Sequence, residues 1–197
     1  LIGVPVAFSL ALTGFLGTFW LVSPEVAFGL LIRDIFSQFS SYPLTAILFF
    51  VLMGYYVSAA GISRKLYDTF YVLFGRQRGG LCVATIGACA GFAAICGSSV
   101  ATAATMGKLS LPEMKKHNYD GCLSTGCVAA GGTLGPLIPP SNVFIVYGIL
   151  TEQSIGKLFI SGVIPGLIMT TLLMLTVFLI CYFNPTFGPP GEQTTWG

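Results

Sequence analysis

Residues 131–141 read Gly-Gly-Thr-Leu-Gly-Pro-Leu-Ile-Pro-Pro-Ser, and they interrupt a stretch that carries no charged residue from 121 to 151. A proline lacks an amide donor and clashes with the preceding helical turn, and a glycine allows backbone shapes that other residues resist. We therefore expect a helix to stop near Leu134 and to restart near Ser141. A kink at one proline is common without any function, but three prolines and three glycines in this stretch favour a functional break.

The composition places the break inside a membrane protein. The chain has 54% hydrophobic and only 8% charged residues, whereas a soluble domain carries about 25% charged residues. Charges separate five uncharged windows, 1–24, 35–63, 79–107, 121–151 and 158–191. Each window is long enough for a bilayer crossing, which needs about 20 mostly apolar residues. The small net charge of +2 argues against a nucleic-acid partner, which would require a clustered basic face.

The third window predicts a helical hairpin that enters and leaves the bilayer on one side. Seven of the nine Lys and Arg residues flank it, and basic residues mark the cytoplasmic side. As helices, Gly80–Cys96 would be about 25 Å long and Val100–Leu111 about 18 Å, and the Gly97-Ser98-Ser99 sequence between them suits a turn. We expect a re-entrant hairpin over 79–111; the alternative is an ordinary span with one basic flank outside.

The other windows predict simpler elements. Helices are expected at Leu1–Val22, Pro43–Gly61 and Phe159–Phe183, and the tail from Asn184 to Gly197 is expected to be a linker or loop. Pro24–Tyr42 and Ile62–Gly79 combine helically spaced apolar residues with charges, as interfacial helices do. The alternative for both is a charged extension of the neighbouring span.

These elements predict three regions. Residues 1–78 would form scaffold-type helices with the interfacial segments. Residues 79–158 would form a transport-type segment, with the hairpin at 79–111 and the broken helix at 118–151. Residues 159–197 would supply the closing transmembrane helix and the linker tail. The chain begins at Leu1 without a methionine, and we expect it to be a fragment of a longer protein.

The hairpin tip and the break carry the candidate binding residues. Helix ends, hydroxyls and unbonded carbonyls at the bilayer midplane are the parts from which secondary transporters build substrate and ion sites. The candidates for substrate and cation binding are Gly97, Ser98, Ser99, Gly132, Thr133, Gly135, Pro139, Pro140 and Ser141. Ser98, Ser99, Gly132, Gly135 and Pro139 are the candidates for a metal ion. The alternative for the serines is a hydrogen bond to the preceding turn, which we favour for Thr102 and Thr105.

The expected ion is sodium. No Asp or Glu lies in the five windows, whereas proton pumps usually carry buried carboxylates or histidine relays. Neutral oxygen ligands therefore favour sodium over proton coupling. No other cofactor is expected.

An enzyme is not expected. The single histidine, His117, is separated from Ser98 by a whole hairpin arm, and no nucleophile-elbow or phosphate-loop motif is present. Cys82, Cys89 and Cys96 recur every seven residues, which indicates small packing residues on one helix face more than a metal site.

The broken segments resemble a known family. The residues that carry the likeness are Gly97-Ser98-Ser99-Val100-Ala101-Thr102, Leu111-Pro112-Glu113-Met114 and the stretch 131–141. They look like the large membrane subunit of tripartite ATP-independent periplasmic (TRAP) transporters, the DctM-type permease. That subunit is about twice as long and contains two inverted repeats, so the chain resembles its N-terminal half. Pro136 and Asn142 depart from the family pattern and could alter the geometry of the site.

The resemblance implies the rest of the functional expectation. It implies a multi-pass protein of the bacterial inner membrane that imports organic acids, either carboxylates or sialic-acid-like sugars, with sodium. The implied partners are a small four-helix membrane subunit and a periplasmic substrate-binding protein. It also implies an elevator mechanism, with 132–141 and the hairpin tip lining the sodium and substrate sites.

Other classes remain as alternatives. One is a stand-alone dicarboxylate carrier of the same ion-transporter superfamily, which neighbouring genes would distinguish. The others are a channel pore, which would need a continuous polar lining, and a non-transporting scaffold subunit.

Overall fold

The computed structural model of the protein describes residues 5–40 and 42–189. Every regular element in that part of the chain is a helix, which confirms the all-α class. The helices are α1 (Val6–Leu21), α2 (Pro24–Phe39), α3 (Tyr42–Ala59), α4 (Ile62–Phe74), α5 (Gly80–Cys96), α6 (Ser99–Lys116), α7 (Gly121–Gly132), α8 (Asn142–Leu150) and α9 (Ile155–Phe183). The first four residues of the helix predicted from Leu1, and the predicted tail beyond Pro189, lie outside the described residues.

Residues 1–45 form the first of two compact units. Here α1 packs against α2, and the rings of Phe15 and Phe28 meet edge to face with centroids 5.2 Å apart. Ala27 is buried in this contact region, with only 2% of its surface exposed. The stretch from Pro24 predicted to be helical is therefore helical, and its apolar residues supply the contact between the two helices.

The described residues from Ala46 to Pro189 form the second unit, and α5 is its central helix. All residues from 80 to 89 are buried, and α5 contacts α4, α6, α7 and α9. Small residues allow this close packing. A methyl group added at Gly87 would meet the ring of Phe70, and one added at Gly131 would lie 2.7 Å from the sulfur of Cys89. Cys82, Cys89 and Cys96 are all buried free thiols, in keeping with a packing role.

Helices α5 and α6 form an antiparallel pair. Cys82 Sγ lies 3.9 Å from Met114 Sδ at one end, and Cys96 Sγ lies 3.2 Å from Thr102 Oγ1 at the other. Helix α5 has the predicted bounds, but α6 continues past Leu111 to Lys116. The helix continues through Pro112, which lacks an amide donor, and the chain after it stays helical to its end, where His117 N donates to Glu113 O at 3.1 Å.

The segment after α9 packs against the open end of this helix pair. Gly79 N donates to Gly188 O at 2.9 Å, and Asp120 N donates to Phe187 O at 3.0 Å. The buried Tyr119 hydroxyl accepts a hydrogen bond from Leu81 N at 3.3 Å, and burial raises the pKa of Tyr119 above its ordinary value. The beginning of the predicted linker therefore forms an ordered loop that is hydrogen-bonded to the ends of α5 and α7.

The lengths of the helices suit a bilayer in different ways. Among the described helices, α9 alone is both long and apolar enough to cross by itself, with 29 residues and a mean hydropathy of 2.4 over an 18-residue stretch. The segments Ile47–Ala59 and Ile62–Phe74 pass the same test as a pair, with a bend of 65° between them. Helix α5 is apolar but has 17 residues; its length of about 25 Å is less than the hydrocarbon core of about 30 Å.

Candidate functional site

The predicted break in the fourth window is present between α7 and α8. Helix α7 ends at Gly132, two residues before the expected stop, and α8 begins directly after Ser141. Turn-type bonds continue for a few residues, with Gly135 N donating to Gly132 O at 3.1 Å and Ile138 N to Leu134 O at 2.9 Å. In the described part of the chain, no backbone amide donates to the carbonyl oxygens of Gly135, Pro139 or Pro140. These three oxygens therefore accept no backbone bond, while the Gly132 oxygen accepts one.

Glycines bring the hairpin tip into backbone contact with the break. Gly97 has a left-handed conformation with φ +58°, and a methyl group added to it would collide with the carbonyl oxygen of Pro140. A methyl group added at Gly135 would lie 2.6 Å from the carbonyl carbon of Ser98, and one added at Gly132 would lie 3.2 Å from Ser99 O. Only residues without a side chain allow so close an approach.

Most of the sequence-predicted site residues therefore lie together in the structure. The residues at this contact are Gly97, Ser98, Ser99, Gly132, Gly135, Pro140 and Ser141. Thr133 and Pro139 belong to the same break, but the contacts with the tip are made by their neighbours.

The hydroxyl groups at the site also have structural roles. Ser98 caps α6 by accepting a bond from Ala101 N at 3.4 Å. Ser141 caps α8 by accepting from Phe144 N at 3.4 Å, and it donates its own proton to Pro136 O at 2.6 Å. Thr133 donates its proton to Ala130 O at 2.6 Å. A hydroxyl whose proton is used in this way presents lone pairs to any cation beside it.

Four helix ends converge where the tip meets the break. The carbonyl ends of α5 and α7 are at Cys96 and Gly132, and the amide ends of α6 and α8 are at Ser99 and Asn142. The carbonyl end of a helix carries partial negative charge and favours cations, whereas the amide end carries partial positive charge and favours anions. This arrangement can hold a cation and an anionic group near each other.

The structure adds Asn142 to the candidates. Its side-chain Oδ1 is buried and has no hydrogen-bond partner within residues 5–40 and 42–189. Asn142 and Ser98 line a cavity of about 300 Å³ to which Ser58 and Thr105 also contribute. In the sequence, Asn142 is a departure from the family pattern that could alter the site geometry. The sequence did contain a signal for a binding role of Asn142. Its amide side chain begins an otherwise apolar helix, where an unpaired polar group is costly.

Thr102 differs from its expected arrangement. Its hydroxyl was expected to bond to the preceding turn, but it lies 3.2 Å from Cys96 Sγ on the opposite arm. The tight turn at Gly97 brings the two arms close enough for this contact. Thr102 is fully buried and helps to join the arms at the tip.

A helical pair that contacts a broken helix is the arrangement from which secondary transporters build their binding sites. The sequence agrees with that class. Residues 1–194 match the family described as the tripartite ATP-independent periplasmic transporter, DctM component. The chain therefore belongs to this family of transporter permeases.

Several curated proteins are similar to the chain. The C4-dicarboxylate TRAP transporter large permease protein DctM of Pseudomonas aeruginosa is 44% identical over 172 residues, which are 87% of this chain and 40% of that protein. The isethionate TRAP transporter permease protein DctMQ of Oleidesulfovibrio alaskensis is 41% identical, over 88% of this chain and 27% of that protein. The sialic acid TRAP transporter permease protein SiaT of Haemophilus influenzae is 36% identical, over 88% and 28% respectively. The chain thus spans less than half the length of each of these relatives. In the DctM protein it corresponds to the N-terminal part.

Proposed function

We propose that the chain forms one repeat of a sodium-coupled secondary transporter that imports an organic acid. The single observation that carries the proposal is the contact between the hairpin tip and the unwound segment, where Gly97 meets Pro140 and Gly135 meets Ser98. Free carbonyl oxygens and four helix ends meet at that point. A packing role alone would not explain why backbone oxygens are left without bonds in an apolar protein, where each unsatisfied group is costly.

The site has suitable places for both the ion and the substrate. Sodium prefers hard oxygen ligands, and the proposed ligands are the hydroxyls of Ser98 and Ser99 with the carbonyls of Gly132, Gly135 and Pro139. The carboxylate of an organic acid would lie at the amide ends of α6 and α8, where helix dipoles favour negative charge. Neutral ligands bind the ion without a proton-accepting group, which favours sodium over proton coupling.

Membership of the family supports the remaining parts of the proposal. The names of the relatives refer to C4-dicarboxylate, isethionate and sialic acid, so an organic acid is the proposed substrate class. The proposed partners are a small four-helix membrane subunit and a periplasmic substrate-binding protein. The proposed location is the bacterial inner membrane, with several crossings and a re-entrant α5–α6 hairpin. The hairpin and the broken helix would move together as the transport domain of an elevator.

The experiment is uptake by the complete transporter reconstituted in liposomes, driven by a sodium gradient. We expect Ser98→Ala and Ser99→Ala each to raise the sodium concentration for half-maximal uptake severalfold, because each removes a hydroxyl ligand. Ser161→Ala is the matched control, since Ser161 is exposed on α9 and donates to Leu158 O at 2.8 Å, within its own helix.

The effect of Ser98→Ala on the helix cap must be distinguished from its effect on ion binding. Loss of a serine N-cap costs about 1 kcal/mol of stability, so thermal stability is measured for every variant. Ser99 lies after the cap, and its substitution tests the ligand role without that effect. Wild-type sodium dependence in both variants would contradict the proposed ion site.

A further inference from the structure

A second cavity lies at the opposite end of the hairpin from the tip. It has a volume of about 450 Å³, and α4 and the two hairpin arms contribute its walls. Leu81 lines it at the beginning of α5, and Lys108 and Glu113 line it in the last part of α6. The cavity is therefore separate from the proposed transport site, and the inference below does not depend on that function.

The wall of this cavity carries both signs of charge. Arg64 and Lys108 supply two positive groups, and Asp68 and Glu113 supply two negative groups. A simple anion would meet the two carboxylates, and a simple cation would meet the two basic groups. A ligand that carries both charges, such as a phosphate linked to a primary ammonium, matches the wall best.

Tyr67 provides an independent indication of a ligand. It lines the same cavity, and only 5% of its surface is exposed. Its hydroxyl is buried beside Thr85 and makes no hydrogen bond of good geometry among the described residues. Leaving a buried polar group unpaired costs about 1–3 kcal/mol. If the ring turns toward the cavity, a phosphate oxygen there accepts the hydroxyl proton and removes this cost.

The remaining wall is apolar and lies on an amphipathic element. Val72 of α4 and Leu109 of α6 face the cavity together with Leu81. Helix α4 has charged residues beside an apolar face, which is typical of helices at the depth of lipid headgroups. A headgroup attached to acyl chains would use both the charged and the apolar parts of the wall.

We propose that this cavity binds the headgroup of a zwitterionic phospholipid with a primary ammonium, as in phosphatidylethanolamine. The phosphate lies between Arg64 and Lys108 and accepts the Tyr67 hydroxyl proton. The ammonium lies against Asp68 and Glu113 and donates hydrogen bonds to their carboxylates. The glycerol and the first carbons of the acyl chains contact the apolar wall.

The test is native mass spectrometry of the complete, delipidated transporter with defined lipids at equal concentration. We expect at least tenfold greater retention of phosphatidylethanolamine than of two comparison lipids. Phosphatidylcholine has the same charges but no ammonium hydrogens to donate, and phosphatidylglycerol has the phosphate without the ammonium. Equal retention of all three lipids would overturn the proposal.

Substitutions in the cavity wall test whether the retained phosphatidylethanolamine is bound in this cavity. Arg64→Gln and Glu113→Gln should each reduce retention of phosphatidylethanolamine about tenfold, and Tyr67→Phe should reduce it a fewfold. Lys116→Gln is the matched control, because Lys116 is an exposed basic residue on the same flank and does not line the cavity. An equal loss in Lys116→Gln would overturn the proposal, since it would indicate unspecific attraction to lipid.

A soluble competitor identifies the source of the headgroup. Phosphoethanolamine without acyl chains carries the same charges but cannot contact the apolar wall. We expect it to bind at least a hundredfold more weakly than the lipid. Binding as tight as that of the lipid would mean that a soluble zwitterion occupies the cavity, and the lipid proposal would be wrong.

Discussion

Gly61 and Gly97 both have a left-handed backbone conformation, but only Gly97 contacts another segment closely. Comparing alanine variants at the two positions distinguishes the cost of backbone strain from the cost of losing the contact. Gly61 has φ +73° with no atom within 4 Å of an added methyl group, whereas at Gly97, with φ +58°, such a group would collide with Pro140 O. An alanine in this left-handed region costs about 1–2 kcal/mol. We expect Gly61→Ala to lower the free energy of unfolding by about that amount and to leave uptake intact.

Gly97→Ala should have a larger effect because it also pushes the tip away from the break. We expect a greater loss of stability than in Gly61→Ala and an almost complete loss of sodium-driven uptake. Thermal unfolding and reconstituted uptake of the two variants measure both effects. Equal stability and equal uptake in the two variants would mean that the contact between Gly97 and Pro140 has no importance.

Asn142 allows a test in which function and stability change separately. Its Oδ1 is buried without a hydrogen-bond partner in the described part of the chain, and replacing an unsatisfied polar group with an apolar one can be neutral or stabilising. We expect Asn142→Leu to keep or raise thermal stability and to raise the KM for substrate severalfold. A fall in stability with unchanged uptake kinetics would show that Asn142 only supports the fold.

At the scale of the helices, the break can be tested by restoring a helix. A Pro139→Ala, Pro140→Ala double variant returns two amide donors, which can recapture carbonyls that are now free. We expect the protein to stay folded, because helix propensity improves by a few kcal/mol at most. Uptake should fall sharply, because the oxygens would no longer face a ligand.

Pro112→Ala is the matched control for the double variant. It also replaces a proline with alanine in an apolar chain, but Pro112 lies inside a continuous helix, α6. We expect normal uptake from it. Full activity of the double variant would indicate that the two prolines only shape packing.

Local sequence signals predicted the helices well, because helix ends depend on nearby charges, turn residues and prolines. Charge gaps and the Gly97-Ser98-Ser99 turn located α5 at its observed bounds, Gly80–Cys96. The restart near Ser141 was predicted from the prolines before it, and α8 begins directly after Ser141, whose side chain caps the helix. The end of α6 was predicted five residues too early, because the effect of Pro112 depends on whether the following amides keep their bonds.

Contacts between distant segments were not predictable in the same way. The approach of Gly135 to Ser98 depends on how α7 packs against the hairpin, which no local pattern encodes. The cavity lined by Arg64 and Glu113 lies between helices that are far apart in sequence. The sequence showed its basic residues only as parts of two separate basic flanks, and not as one wall with both signs of charge. The candidate residues at the tip and the break lie close together in the structure, but their role in ion and substrate binding stays a prediction.

At the scale of the whole molecule, the orientation in the membrane is the main prediction. Lys65, Arg78, Lys108 and Lys116 should all be cytoplasmic, because basic loops stay on that side. Each is replaced singly by cysteine in the complete transporter and labelled from either side of the membrane. Cys122 is an exposed free cysteine, so Cys122→Ser provides the background for labelling. Labelling from outside only at either flank would exclude the re-entrant hairpin.

The closure of the hairpin by the segment after α9 has a consequence for the order of assembly. The bonds from Gly79 to Gly188 and from Asp120 to Phe187 join positions that are far apart along the chain. Closing such long loops is entropically costly, so contacts of this kind form after local ones during folding. The hairpin and the broken helix would therefore associate first. The segment with Phe187 and Gly188 would then bind to Asp120 and Gly79 last, and would stabilise helices that are already packed together.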